Sequence, residues 1–414
     1  MSRQLDDWLE RYLQLTQSLE SPMQYNIWCG ISCIASCLQR KCYCDWGPML
    51  SHSYPNLYIA LVGPPGGKKG TAMRPAKVML QDLEVKLCSD ALGSSQALYQ
   101  ELSTAINSYP DYNGKETEHR SLSVWADEFA VFLSDKDPKL INSLTDLFDS
   151  PSQWKYFSLS RKEIALNHCW LNIIGAITPS LLQDRLSRES VGGGLVSRII
   201  FVVGYGPEKL VALPFLSKEE IELHKMLFED LQQISLLSGP FILTKPFLSD
   251  WVQWYEKESQ NSAIENDKFL GYNSRRATHV KKLIMIISAS ENNKMEIKAH
   301  HLHKAVALME HNEKEMTNAF QGIGRGQHSE VYSSILTYIE KKKSFSFNEL
   351  STAFQLDVLP HELETYLESM VTNKKIKRIQ STSNPNEIRF DVLHKIKEKK
   401  VPSILTKSVF KRLY

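Results

Sequence analysis

The string Gly63-Pro-Pro-Gly-Gly-Lys-Lys-Gly-Thr71 constrains this chain more than any other, because of what flanks it. Before it runs NLYIALVG (56–63), a short apolar stretch ending in glycine that reads as a buried strand. After it, TAMRPAKVMLQDLEVKL has the period of a helix, with Pro75 close enough to the start to be tolerated. A strand that turns through glycines into a helix aims backbone N–H groups and a helix N-terminus at one point, which makes a phosphate cradle. Against the pattern G-x-x-x-x-G-K-[ST], Gly63 takes the first position and Lys69 that of the phosphate lysine. Lys68 stands where the third glycine belongs, and Gly70 where a magnesium-binding hydroxyl belongs, which leaves Thr71 as the nearest hydroxyl. A rival register makes Lys68 the phosphate lysine but shortens the loop by one residue.

Further strands are expected to complete an α/β core. SLSVWADEFAVFL (121–133) brings Asp127 and Glu128 to the end of an apolar run, after a polar loop or hairpin at 109–120. In a phosphate-loop fold the strand beside the loop delivers an Asp to magnesium, and the adjacent Glu polarises the attacking water. WLNIIGAITP (170–179) is a third buried strand. Thr178 at its end is placed either to orient that water or to cap the helix that Thr-Pro-Ser opens. LVSRIIFVVGY (195–205) is a fourth, preceded by Gly192–Gly194, and Arg198 at its start suits either a reach to a neighbouring subunit's γ-phosphate or a surface ion pair. Strands alternating with helices predict a largely parallel sheet.

The flanking segments divide the chain. Residues 1–50 read as a collar of two helices broken near Ser21–Pro22, and 209–321 as an all-helical lid. GIGRGQ (322–327) is a linker. Beyond it, three helical patterns and two strand-like runs around SNPN follow the winged-helix order over 322–392, with a basic tail at 393–414. From Gln321 onward 16 Lys/Arg face 10 Asp/Glu, a surplus of +6, which leaves the first 320 residues at −4. That basic module points to nucleic acid. Its third helix carries Glu362, Glu364 and Glu368, so DNA contact is expected from Lys374, Lys375, Lys377, Arg378 and Arg389 on the hairpin, through the backbone with little sequence readout.

Composition excludes other classes. No apolar run approaches the ~20 residues of a membrane span, and the acid-bearing amphipathic N-terminus does not read as a secretory signal, so a cytoplasmic location is expected. Cys29, Cys33, Cys37, Cys42 and Cys44 cluster without a C-x-x-C pair or a nearby His, which favours small buried side chains over a metal site.

The order GPPGGKKGT, WADEF, GAITP, GLVSR, then an arginine-led helix at Ser274-Arg-Arg, resembles the phage and plasmid helicase-like AAA+ ATPases, themselves similar to the minichromosome-maintenance helicases. The resemblance spans roughly residues 50–390. It implies an AAA+-like P-loop core at 51–208 with a parallel sheet, the helical lid and the winged helix. It also implies ATP and Mg2+ as cofactors, and hydrolysis in a homo-oligomeric ring, a hexamer, with Arg198 as trans-acting finger and Arg275 as nucleotide sensor. Arg276 competes for the latter role, and Thr178 stands where the family more often has asparagine. The expected cradle is Gly63, Pro64, Pro65, Gly66, Gly67, Lys68, Lys69, Gly70 and Thr71. Thr71 and Asp127 are the expected magnesium ligands, and Lys69, Glu128, Thr178, Arg198 and Arg275 the expected catalytic set. The function that follows is a DNA helicase or translocase of a mobile element's replication system, acting on single-stranded or forked DNA, with any primase or initiator supplied by another chain. An ATP-switched initiator or helicase loader is the alternative, and a DNA-binding regulator with a degenerate loop a third reading.

Overall fold

The computed structural model describes residues 3–320 except 48, 50–51, 90–91, 111–113, 134–136, 157–163, 186–193, 208 and 267–268. Beyond them it describes 335–336, 338–339, 342, 344–355, 357–372, 375–380 and 388–392. The chain forms two compact units, Met1–Phe320 and Gln321–Tyr414. The boundary coincides with the start of the expected linker, whose residues 322–327 lie outside the described set, as do Gly192, Gly193 and the tail 393–414.

The strands, in chain order, are β1 (Cys42–Cys44), β2 (Tyr58–Val62), β3 (Leu87–Cys88), β4 (Ile106–Pro110), β5 (Glu116–Ala126), β6 (Gln153–Tyr156), β7 (Ile164–Asn167), β8 (Cys169–Ile177), β9 (Ile199–Val203), β10 (Gly239–Leu243) and β11 (Glu296–Ile297). In the second unit they are β12 (Ser344–Ser346), β13 (Ile376–Gln380) and β14 (Ile388–Val392). The main sheet of the first unit runs β3, β5, β8, β2, β9, all parallel, and β4 pairs antiparallel with β5 as the expected hairpin. β2, β8 and β9 are buried along their whole length, as parallel strands covered on both faces must be. Two features correct the sequence reading. The acid-bearing β5 does not lie beside β2, because β8 is inserted between them. The region after residue 209 is not all helical, since β10 and β11 join β1 in a parallel three-stranded sheet.

The first 50 residues fold into the first unit. Helix Met23–Leu38 buries 13 of its 16 residues, apolar nearly all round, and packs against helix Lys69–Asp82, β8, β9 and helix Leu270–Glu291. Its polar pins are Ser32 and Ser36, whose hydroxyls accept from Asn172 Nδ2 of β8 at 2.9 and 3.3 Å. Cys29, Cys33 and Cys37 lie buried on this helix, and Cys42 and Cys44 on β1. Burial pushes the Cys37, Cys42 and Cys44 thiols up to about 12, so they behave as small apolar side chains. The N-terminal helix Trp8–Thr16 is docked by Trp8 Nε1, which donates to Leu227 O at 2.8 Å. No helix among the described residues is long and apolar enough to cross a membrane.

In the second unit, helices Phe347–Ala353 and Pro360–Thr372 precede β13 and β14, and the antiparallel sheet runs β12, β14, β13. Ile335, Phe345, Leu350, Leu363, Leu367, Met370, Ile376 and Phe390 form its core.

Candidate functional site

The glycine loop leaves β2 at Val62 and becomes helix Lys69–Asp82. Gly66 takes φ 74°, and Lys68 is held in the left-handed region at φ 60°. There a side chain costs roughly 1–2 kcal/mol, which explains why glycine suits this place. Gly63 is required for a different reason. A Cβ there would lie 2.2 Å from the Tyr25 hydroxyl and 2.6 Å from the Gly204 carbonyl oxygen. Gly67 N donates to Pro64 O at 3.0 Å, closing the turn, while Pro65 is exposed at its tip. No side chain caps the helix that follows, so its first N–H groups face the loop without a side-chain acceptor.

Lys69 turns its ammonium into the curl, donating to Gly63 O at 2.6 Å and Pro64 O at 2.9 Å. Burial pulls its pKa down, while the Glu128 carboxylate pulls the other way, so the two side chains feel each other. Gly70 is exposed with open space where a side chain would start, and Thr71 is half-buried one residue further into the helix.

Register brings the other expected residues to the same edge. Val62 pairs with Ile177, and Gly63 N donates to Ile177 O at 3.1 Å, so Thr178 emerges beside the loop. Ala126 pairs with Gly175, which sets Asp127 and Glu128 one strand further along. Asp127 is exposed; Glu128 is half-buried, and its Oε1 accepts from Ala130 N at 3.3 Å at the start of the 3-10 turn Phe129–Leu133. Thr178 Oγ1 accepts from Leu181 N at 3.4 Å and lies 3.3 Å from Ser180 Oγ. It thereby serves the capping use that its sequence allowed while standing between loop and acids.

The arginines lie at the opposite edge. Arg198 immediately precedes β9, and Ile199 pairs with Tyr58, so Arg198 is level with the start of β2, one strand length from Gly63. That length, five residues, is about 17 Å. Arg198 Nη1 donates to Gly194 O at 2.7 Å, and Nη2 lies 3.4 Å from Asp149 Oδ2. Arg275 Nη1 lies 3.8 Å from Asp149 Oδ1. Arg276 is committed elsewhere: it is only 2% exposed and pairs with Glu258 at 2.5 Å and Glu313 at 2.7 Å. Of the two rivals, Arg275 keeps the accessible guanidinium, its side chain 33% exposed.

Two contributors to the loop escape any local motif. The Tyr25 hydroxyl lies 2.7 Å from Val62 O and 3.1 Å from Gly204 O, bridging the ends of β2 and β9. Glu20 pairs with Lys68 at 2.5 Å and accepts from Val211 N at 2.9 Å. Both come from the N-terminal region, where the sequence signals only helices.

One further cluster among the described residues has metal-ligand chemistry: Glu291, His300 and His301. His301 Nδ1 accepts from Lys298 N at 3.0 Å, which puts the imidazole proton on Nε2, facing Glu291 at 3.1 Å. With that lone pair used and the Lys304 ammonium 2.8 Å from Glu291 Oε1, the cluster is a network of hydrogen bonds among its own side chains.

In the second unit the basic hairpin divides by face. Lys377 stands opposite Asp391 and Arg389 opposite Ile379, all on one side of the ladder. Arg378 lies on the other, its guanidinium 5.8 Å from the Phe390 ring centroid. Lys375 N closes the preceding helix onto Met370 O at 2.9 Å, and Lys374 lies outside the described residues.

No family model matches the chain, and no curated protein matches it.

Proposed function

We propose that Met1–Phe320 is a P-loop ATPase core that works in a ring of identical copies, and that the whole chain is a DNA helicase or translocase of a mobile element's replication machinery. The observation that carries this reading is the common edge of β2, β8 and β5. One edge presents the glycine loop with Lys69, then Thr178, then Asp127 and Glu128, in spatial order. An uncapped helix N-terminus, a lysine folded into the loop and a carboxylate pair are what a polyphosphate site needs.

The donor set suits Mg2+, a hard cation that takes oxygen ligands. Asp127 and Thr71 would hold it, and when bound it would neutralise charge on the β- and γ-phosphates. Lys69 would exchange its loop carbonyls for phosphate oxygens. Glu128 would accept a proton from the attacking water as ATP goes to ADP and phosphate, and Thr178 would help orient that water. Arg198 and Arg275 stand about one strand length from their own loop, so their contribution would go to a nucleotide held by a neighbouring copy.

DNA engagement is assigned to the second unit, whose helix–helix–hairpin order supports a winged helix. Lys375, Lys377 and Arg389 would meet backbone phosphates, with Arg378 on the other face of the hairpin.

An ATPase assay with and without single-stranded DNA, with particle size measured alongside, tests the reading. Lys69→Ala and Glu128→Gln should each abolish turnover, and unchanged turnover in Glu128→Gln would sink the assignment. Gly70 favours one second reading, an ATP-switched initiator or loader that binds nucleotide and hydrolyses it slowly. Displacement of a strand from a forked duplex supports the helicase, and ATP binding without displacement supports the loader.

A further inference from the structure

Two arginines that arrive from different parts of the chain meet one carboxylate. Arg198 comes from the 3-10 turn before β9 and Arg275 from helix Leu270–Glu291; Asp149 Oδ2 faces the first at 3.4 Å and Oδ1 the second at 3.8 Å. We propose that Asp149 is a positioning residue that presets Arg198 and Arg275 as a two-armed clamp for the triphosphate held in the glycine loop of a second copy of this chain. The proposal rests on the ATPase reading above and adds to it the residue that gives the two arginines a common geometry.

The mount of this carboxylate is rigid. Phe148, the residue before it, packs its ring against Tyr58, and its carbonyl oxygen accepts from Asn56 Nδ2 at 3.0 Å and Lys282 Nζ at 3.1 Å. Ser150, the residue after it, is held at φ 51° and its hydroxyl lies 3.3 Å from Asn56 Oδ1. A non-glycine residue in that region persists only where its surroundings fix it. Asp149 itself remains half exposed between these anchors, so the site it organises opens to solvent.

Charge supplies the second argument. Two guanidinium groups, those of Arg198 and Arg275, face the Asp149 carboxylate, and the buried Lys282 lies close to them. Lys282 finds only uncharged acceptors, Tyr54 O, Asn56 Oδ1 and Phe148 O. Burial, with Arg198 and Arg275 adding to it against Asp149, pushes its pKa down to about 7. The two arginines in contact with Asp149 share one carboxylate between them, and a polyphosphate brings further negative charge to both. The loop of the same copy is too far away to bring it.

The test uses the full chain and steady-state ATPase kinetics. Asp149→Asn should lower kcat about tenfold and leave KM within about twofold, since nucleotide is bound by the loop and not by the clamp. Asp149→Glu, which keeps the charge, should recover much of that loss. Mixing then locates the defect. Asp149→Asn copies mixed with Lys69→Ala copies should exceed the sum of their separate rates, because the Lys69→Ala copies lend intact clamps to intact loops. Mixed with Arg198→Ala copies they should not. Wild-type kcat in Asp149→Asn overturns the proposal, as does a defect repaired by Arg198→Ala copies instead. Were Asp149→Asn to misfold, wild-type kcat in a folded Asp149→Ser, which also removes the charge, would overturn it equally. A wild-type ATPase in which Lys69→Ala and Arg198→Ala copies fail to complement each other removes the clamp alone, whereas a wild-type chain with no ATPase activity removes the ATPase reading and the clamp together.

Discussion

The Lys68 ammonium lies 2.5 Å from the Glu20 carboxylate, which ties the residue standing in a glycine's place to the end of the N-terminal region. The lysine's backbone sits at φ 60°, so its side chain leaves the loop on the side of Glu20, while Lys69 folds inward onto Gly63 O and Pro64 O. The two adjacent lysines thus point to different places, and the proposed function gives the phosphate to Lys69.

Substitution separates the two. Lys68→Gly removes a left-handed strain of roughly 1–2 kcal/mol and a surface ion pair that solvent screens. Its stability should therefore be unchanged or raised by up to about 2 kcal/mol, with nucleotide affinity within about threefold of wild type. Lys69→Ala should lose binding by two orders of magnitude or more. Titration with a fluorescent ATP analogue, beside urea unfolding, checks both, and a larger loss in Lys68→Gly would reverse the register.

Gly70 offers a gain-of-function test. The space around its missing side chain is open, and glycine inside a helix costs about 0.5–1 kcal/mol relative to alanine. Gly70→Ser should fold at least as well as wild type. It should also lower the magnesium concentration for half-maximal turnover several-fold, by supplying the hydroxyl one residue earlier than Thr71. Magnesium titrations that superimpose would show that Thr71 already fills the role.

Acid sensitivity should trace to two buried histidines. Burial, above all, pushes His279 down to about 3, with Lys282, Arg275 and Arg198 adding to it against the acceptor Ser197 O. His119 is pushed to about 3 by burial and by Lys41, Arg40 and His168. An unfolded histidine takes its proton near 6.5. Between about 6.5 and 3 the unfolded chain therefore binds more protons, and stability falls as pH falls through that window. The urea midpoint should drop from pH 7 to pH 5. His279→Gln should be less stable at pH 7 yet show a shallower drop, and an unchanged slope would remove His279 from the account.

The hairpin of the second unit predicts unequal DNA contacts. Lys377 and Arg389 share one face, and Arg378 lies on the other. If the first face meets the backbone, Lys377→Ala and Arg389→Ala should each reduce the salt dependence of DNA binding by about one charge equivalent, similarly for all sequences. Arg378→Ala should leave that slope unchanged. Binding titrations at several salt concentrations decide the matter.

Local pattern accounts for what the sequence revealed. The strand–loop–helix around Gly63 and the apolar runs ending at Asp127 and Thr178 are each contained in a short window, so periodicity and glycine placement suffice to find them. Strand order is another matter: nothing in the residues of β8 says that it enters between β2 and β5. β11 has two residues, too few for any alternation to register, and β10 opens on Gly239-Pro240, a pair that marks a turn, which is why the region after residue 209 reads as helix alone. Glu20, Tyr25 and Asp149 act through partners far along the chain, Arg275 lying 126 residues beyond Asp149, and side chains of that kind carry no local signature.

The pairing of β1 with β10, Cys42 against Gly239, also sets a clock. A ribosome working at roughly 5–20 residues per second needs on the order of 10–40 s to deliver the second partner after the first. For the first part of that interval helix Met23–Leu38, with 13 residues destined for burial, is out ahead of β8 and β9, which help to cover it. The nascent chain must therefore keep its most apolar helix from other chains until β8 and β9 follow, and its yield in a cell should depend on chaperones engaged early in synthesis.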